Sequence, residues 1–397
     1  MRAVLAALFL SLATPALADL SLSAEIGLKG LTPTVNRLAA LPDPAPQDRF
    51  ALAGLRFLGG VERALQLRWQ TGVRADWSEL PILRLPIPEN PAPRPLQGAD
   101  INALFQGIAA DMQGAREGLV PLGTKDFGLE IAVNDLWFDI DANGLRSEGE
   151  SLSDVAGLTL AGAARFGFQP VENPVIRFDA ADAAWLSAYT HFLQAFAEVA
   201  LAYDPAPAVD RIIASSAQMQ ALWGTTPPPN AMDMMFGRQV DRVAMILNTL
   251  ATKPDPALAK SAHAHLLAMI AENRRFWSLV EAETDNDREW VPNDRQQSGL
   301  GLPVPPGTGA RWQAVLADAE GALTGRLLIP HWRYGAEAGI DLQALFQDPP
   351  AIDLVAFIQG EGLLPYARKG PRLSPDNWQQ FQQLVQGDAG LFAVFLN

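Results

Sequence analysis

Between residues 178 and 205 the apolar positions Trp185, Tyr189, Phe192, Phe196 and Val199 advance in alternating steps of four and three, the period of one face of an α-helix. Asp179 stands where an N-cap belongs, Asp182 adds negative charge to the first turn, and Pro205 forbids continuation. A second stripe, Phe236, Val240, Val243, Leu247 and Leu250, has the same spacing. A third helix opens at Asp255-Pro256, a cap followed by proline at the first helical position, and runs through Leu266, Met269, Ile270, Trp277 and Val280. Ser374-Pro375 opens a short helix carrying Trp378, Phe381 and Leu384, which Gly387 closes. Residues 47–69 and 100–119 also read as helices, with Gly59-Gly60 a point at which the earlier one can break. Strand patterns are sparse: 127–133 alternates as Phe127, Leu129, Ile131 and Val133, although a helical period fits there too, and 175–179 and 391–396 are too short to decide. The fold class is mainly α, many helices with at most a few short strands.

Proline-rich connectors occupy 85–96, 226–229 and 303–306. The first divides the expected helical body, residues 19–397, into N-terminal helices (19–90) and a main body (98–397). No repeat at a solenoid period is present. The first residues carry one positive charge (Arg2), an apolar run from Ala3 to about Ala13, and Ala16-Leu17-Ala18 as a small-x-small cleavage site. This has the form of a secretory signal peptide, residues 1–18, too short to span a bilayer of roughly 20 helical residues. No later segment is apolar enough to span, so a soluble, exported chain without a membrane span is expected.

Composition narrows the chemistry. With no cysteine, thiol nucleophiles, zinc–thiolate sites and iron–sulfur clusters are excluded, and a chain of this length can bury its core without disulfides. The net charge of −14 opposes nucleic acid and anionic membrane while favouring divalent cations. Only five of the thirty basic residues are lysine; together with the abundant alanine this fits a GC-rich bacterial genome, which makes the periplasm the expected compartment.

One stretch poses a chemical question. In DIDANGLRSEGE, residues 139–150, the residues Asp139, Asp141, Asn143, Gly144, Ser147 and Glu150 fall at positions 1, 3, 5, 6, 9 and 12. Calcium takes six to eight oxygen ligands, and a twelve-residue loop can wrap it. Asp139, Asp141 and Asn143 would each supply a side-chain oxygen, Leu145 its carbonyl, Ser147 a bridging water, and Glu150 both carboxylate oxygens, with Gly144 permitting the sharp turn. The stretch resembles the loop of an EF-hand and matches its constrained positions, a coincidence on the order of one per thousand chains of this length. It departs from that pattern outside them: Arg146 stands where an aliphatic residue pairs two loops, Asn134-Asp135 precede the loop where an apolar helix residue is usual, and no second loop follows. The resemblance implies an isolated, structural Ca2+ loop without proper flanking helices, rather than a paired sensor.

Catalytic patterns are weaker. His263 and His265 are two apart and point to opposite sides of a helix, so they cannot share an ion, and His191 reads as a packed or surface helical residue. His331, Trp332, Arg333 and Tyr334 arrive together after Pro330 and could line a pocket for an anionic or sugar ligand; the commoner use of such a segment is packing, with Trp332 buried for its area and Arg333 capping a helix end. Glu281, Glu283, Asp285, Asp287, Glu289 and Asp294 crowd 281–296 around Trp290. Paired carboxylates beside a tryptophan suit a glycoside hydrolase, although acidic runs are usually solvated loops. Residues 353–371, with Gln359, Glu361, Tyr366 and Lys369, carry no recognisable chemistry. No G-x-S-x-G elbow, S-x-x-K pair, H-E-x-x-H helix or Walker loop occurs. The expectation is a calcium-stabilised, non-enzymatic helical protein of the cell envelope that binds an envelope protein or glycan. The alternative is a carbohydrate-active hydrolase or lyase on an all-α scaffold, using carboxylates of 281–294 with His331, Trp332 and Arg333.

Overall fold

The computed structural model describes residues 20–73, 85–123, 125–155, 171–223, 231–302 and 304–385. The signal peptide expected at 1–18, the segment 391–396 and Gly387 lie outside these residues. Helices dominate, in the order α1 (Leu22–Lys29), α2 (Leu31–Ala39), α3 (Pro46–Thr71) and α4 (Gly98–Leu119), then α5 (Ala180–Ala202), α6 (Ala206–Trp223), α7 (Ala231–Leu250), α8 (Pro256–Ala282) and α9 (Thr308–Leu323). Shorter helices α10 (Leu342–Gln347), α11 (Leu354–Gln359) and α12 (Asp376–Leu384) follow. Two small antiparallel sheets complete the described residues. β1 (Leu129–Ala132) pairs with β2 (Val175–Phe178) in the register Leu129↔Phe178, and β3 (Ala338–Ile340) pairs with β4 (Ala367–Lys369). The strand period in 127–133 therefore prevails over the helical one.

The helix boundaries follow local chemistry. Asp179 accepts the Ala181 N–H at 2.8 Å while Asp182 accepts the Asp179 N–H at 2.9 Å, closing the start of α5 from both sides. Asp255 accepts the Ala257 N–H at 2.7 Å ahead of Pro256 in α8. α5 and α8 form the most extensive helix pairing, flanked by α4 and α9. α3 is continuous through Gly59-Gly60. Gly60 does not break it because the missing side chain admits a neighbour: a Cβ there would stand 3.3 Å from Cε of the buried Met112 on α4.

One apolar core runs from Ile26 to Val385, and Leu85 and Ile87 of the proline-rich connector pack against it, so the N-terminal helices and the main body share one interior. A smaller cluster of Ile340, Leu363 and Tyr366 lies in the C-terminal part. Among the described residues no helix is long and apolar enough to cross a membrane. The stripe on α7 departs from the usual arrangement: Phe236, Val240, Val243 and Leu247 are exposed rather than buried.

Candidate metal centre

The loop 139–150 is pinned at its ends by backbone pairing. Trp137 bridges Ser151, the Phe138 N–H donates to the Glu150 carbonyl at 2.9 Å, and the Leu152 N–H donates to the Leu136 carbonyl at 2.8 Å. Trp137, Phe138 and Ile140 are buried beneath it. The incoming segment is a single 3-10 turn, Val133–Asp135, rather than a long helix. Asp135, unusual for an EF-hand, has a job here: it accepts the Ser23 hydroxyl at 2.5 Å and so docks α1. Trp137 Nε1 donates to the Ile26 carbonyl at 3.0 Å. Gly30, with φ of 79°, turns the chain from α1 into α2 where a Cβ would lie 2.8 Å from the Trp137 ring.

Within the loop the acidic side chains are arranged by backbone donors. Asp139 Oδ2 accepts the Gly144 N–H at 3.0 Å, Asp141 Oδ1 accepts the Asn143 N–H at 3.1 Å, and Asn143 Oδ1 accepts the Leu145 N–H at 2.7 Å. Gly144 takes φ of 76°, the left-handed turn for which glycine is suited. Glu150 is 1% exposed, its Oε1 accepting the Ile140 N–H at 2.9 Å and its Oε2 the Ser147 N–H at 2.7 Å. Asp139, Asp141 and Glu150 each bring an oxygen within 4.8 Å of the other two. Asp139 Oδ1 is buried without a hydrogen-bond partner, an expensive state for a carboxylate oxygen unless something positive meets it. Leu145 and Ser147 are exposed at the rim.

A fourth carboxylate lies beneath the loop. Glu62 of α3 is buried and accepts the Asp139 N–H at 2.9 Å, while Gln66 one turn on donates to the Asp139 carbonyl at 2.8 Å. Burial, opposed by that N–H and reinforced by the charges of Asp139 and Glu150, pushes the Glu62 carboxyl up to about 7. Its only trace in the sequence is a charged residue on the face of α3 that also carries Leu55 and Leu65.

A second carboxylate group forms where the start of α5 meets the end of α8. Of the acids in 281–294, Glu283, Asp285 and Glu289 each bring an oxygen within 4.8 Å of one another. Asp179 and Asp182, from the start of α5, add their charges to this group. Burial, followed by those neighbouring charges, pushes Glu283 up to about 7 and raises Glu289 and Asp179, and it holds Asp182 well above the carboxylate range. Asp287 instead faces Arg177 at 3.6 Å and Arg288 at 3.0 Å, Asp294 accepts the Gly307 N–H at 2.8 Å, and Glu281 is exposed. Trp290 packs into an aromatic group with Trp185, 5.4 Å between centroids, and Phe178, at 6.0 Å.

His331–Tyr334 engage a different part of the chain. Trp332 is 72% exposed with its Nε1 donating to the Ile358 carbonyl at 3.0 Å, and the Arg333 guanidinium lies 5.2 Å from the Trp332 ring centroid. The Tyr334 hydroxyl donates to the Gly360 carbonyl and its ring stacks 4.7 Å from His331. None of these contacts reaches 281–294. Trp332 is not buried, and the aromatic residues lean on α11 and the turn after it. The histidines divide as their spacing requires: His263 Nε2 meets the Leu323 carbonyl at 2.7 Å, whereas His265 meets His191 of α5, Nδ1 to Nδ1, at 2.7 Å.

No protein-family model, curated protein or solved structure matches this chain.

Proposed function

We propose that this is an exported, calcium-binding, non-enzymatic protein of the cell envelope, in which loop 139–150 is a structural Ca2+ site. One observation carries the reading: three carboxylates, Asp139, Asp141 and Glu150, converge within 4.8 Å, and one oxygen of Asp139 is buried with nothing to pair it. A hard divalent cation answers both the mutual repulsion and the missing partner. Asp139, Asp141 and Asn143 would give side-chain oxygens, Leu145 its carbonyl, Ser147 a water and Glu150 its carboxylate. The backbone clamp at 136–152 makes the ion's role one of tying an already closed loop more firmly. The leader-like residues 1–18 and the strongly acidic surface support export to a periplasmic, calcium-accessible compartment, where an envelope protein or a glycan would be the partner. The hydrolase reading has less support, because Trp332 and Tyr334 bond to Ile358 and Gly360, and His331 and Arg333 lie against Tyr334 and Trp332, rather than any of these reaching the acids of 281–294.

Calorimetric titration of Ca2+ into the mature chain tests this. One equivalent bound at roughly 10⁻⁴ to 10⁻³ M, the range of extracellular modules, and lost in Asp139→Ala, is the expected result. Binding unchanged in Asp139→Ala would sink the assignment to this loop.

A further inference from the structure

The second half of α5 is built inside out. Phe196 is 54% exposed and Val199 is also exposed, while Gln194 and Glu198 are buried against the neighbouring helices. A helix that turns its polar residues inward departs from the usual consistency between pattern and burial, and such departures cluster at functional sites. Here they meet Arg116 of α4 and His265 of α8. The Arg116 Nη2 group donates to Gln194 Oε1, and Gln194 Nε2 donates to Glu198 Oε1 at 2.8 Å.

Two distances define the site. His191 and His265 approach Nδ1 to Nδ1 at 2.7 Å, a hydrogen bond in which one ring donates. On the far side of the same ring, His265 Nε2 stands 3.6 Å from Glu198 Oε1, too far for a hydrogen bond. It matches the separation of about 3.3–3.6 Å between a nitrogen and an oxygen that share one ion at metal–ligand distances near 2.0–2.2 Å. The Glu198 side chain is only 8% exposed, and its Oε2 is buried with no hydrogen-bond partner. Its one ion-pairing neighbour among the described residues is His265. The charge of Arg116 reaches Glu198 without a direct ion pair, and the buried Oε2 is left with no donor, a costly state for a carboxylate oxygen.

We propose that His265 Nε2 and the Glu198 carboxylate are ligands of a first-row transition metal ion, of which Zn2+ is the representative, in the groove between α5 and α8. Imidazole nitrogen suits zinc, cobalt, nickel and copper, and excludes calcium, which takes oxygen. A ring that ligates through Nε2 carries its proton on Nδ1, and His265 donates that proton to His191 Nδ1. His191 is therefore a positioning residue: it fixes the tautomer and orientation of the ligand ring, the part that outer hydrogen-bond acceptors play at metal-bound histidines. Gln194 holds the carboxylate from the other side. Two protein ligands leave the remaining positions to water or to a small ligand with an oxygen or nitrogen donor. This site shares no residue with loop 139–150 and stands or falls independently of it.

The test is titration of Zn2+ into the full mature chain in saturating Ca2+, which keeps hard-ligand carboxylate sites occupied. The expected result is one equivalent of zinc, weakened at least about 100-fold by His265→Asn and by Glu198→Gln, weakened about 10- to 100-fold by His191→Phe, and unchanged by Glu150→Gln. Co2+ provides the second readout: its visible absorption in the wild type should be intensified over that of the aqueous ion by the imidazole ligand, and shifted in His191→Phe. Wild-type protein that takes up no zinc overturns the proposal. So does zinc that binds equally well to His265→Asn, which would place the ion on carboxylates alone. Should a variant fold poorly, an aqueous-type Co2+ spectrum in the wild type is sufficient to reject the site.

Discussion

Among the described residues two carboxylate trios each gather their oxygens within 4.8 Å, and their surroundings differ. Asp139, Asp141 and Glu150 are served by backbone N–H groups of their own loop, from Gly144, Asn143, Ile140 and Ser147. Glu283, Asp285 and Glu289 receive fewer: Gln296 donates to Glu283 at 3.1 Å and the Asp287 N–H donates to Glu289 at 2.8 Å, while Asp179 and Asp182 crowd in from α5. Burial and like charge there raise Glu283, up to about 7, and Glu289. Proximity of acids alone therefore does not make the two groups alike: the loop meets its carboxylates with backbone N–H donors, whereas the junction between helix ends buries them among like charges.

The largest effect that can break this comparison is Glu150→Ala. Without calcium it should cost about 1–3 kcal/mol, because the Ile140 N–H loses its acceptor in a buried place, and it should also abolish the calcium response. Glu283→Ala should leave the calcium response intact. Equal loss of response in both variants would erase the distinction. Next in size is calcium itself: at millimolar concentration and a dissociation constant near 10⁻⁴ M it should stabilise the wild type by about 1.4 kcal/mol, measured as the midpoint of urea unfolding, and Asp139→Ala should show none of this.

The pH dependence sharpens the contrast further. A carboxyl whose folded value is raised from 4.5 to about 7 contributes stability that is complete below the ordinary carboxylate range and is lost as pH rises through about 7. In EDTA, Glu283→Gln should therefore gain relative stability above pH 7 and lose the advantage near pH 5, measured by urea unfolding at each pH. His191 acts in the opposite direction. Burial, then Arg116 and His265, push it from 6.5 down to about 3, so the unfolded chain takes up its proton first and stability falls as pH drops below about 6.5. His191→Asn should flatten that acid limb. The smallest effect belongs to Arg146→Ala, which should leave the calcium response intact or strengthen it slightly by removing a positive charge from the exposed rim of the loop.

How much of this was legible in the residues themselves depends on chain separation. The mainly helical fold and the caps at Asp179 and Asp255 are local, and each appears where its sequence pattern puts it. The loop could be proposed from the sequence because its candidate oxygen donors lie within twelve consecutive residues. Glu62 could not, since it reaches Asp139 from another helix and leaves no spacing to recognise. The same holds for Asp182 beside Glu283, and for His191 against His265. Periodicity identified both helices but not their buried faces. At the Phe196 end of α5 the buried side includes Gln194 and Glu198, and the stripe on α7 is exposed. Apolar spacing identifies a helix, but which face meets the core is decided by partners that lie far away in sequence. In 281–296 the acids suggested a sugar-binding cleft with Trp290, whereas Trp290 joins Trp185 and Phe178 in an aromatic group.

The central claim, that loop 139–150 is a structural calcium site, is tested most directly by thermal unfolding of the mature protein in millimolar calcium and again in excess EDTA, with Glu150→Ala alongside. The account predicts a midpoint higher by about 1–2 °C in calcium for the wild type and no difference for the variant. Identical midpoints in calcium and EDTA for the wild type, or an equal shift in Glu150→Ala, would contradict it.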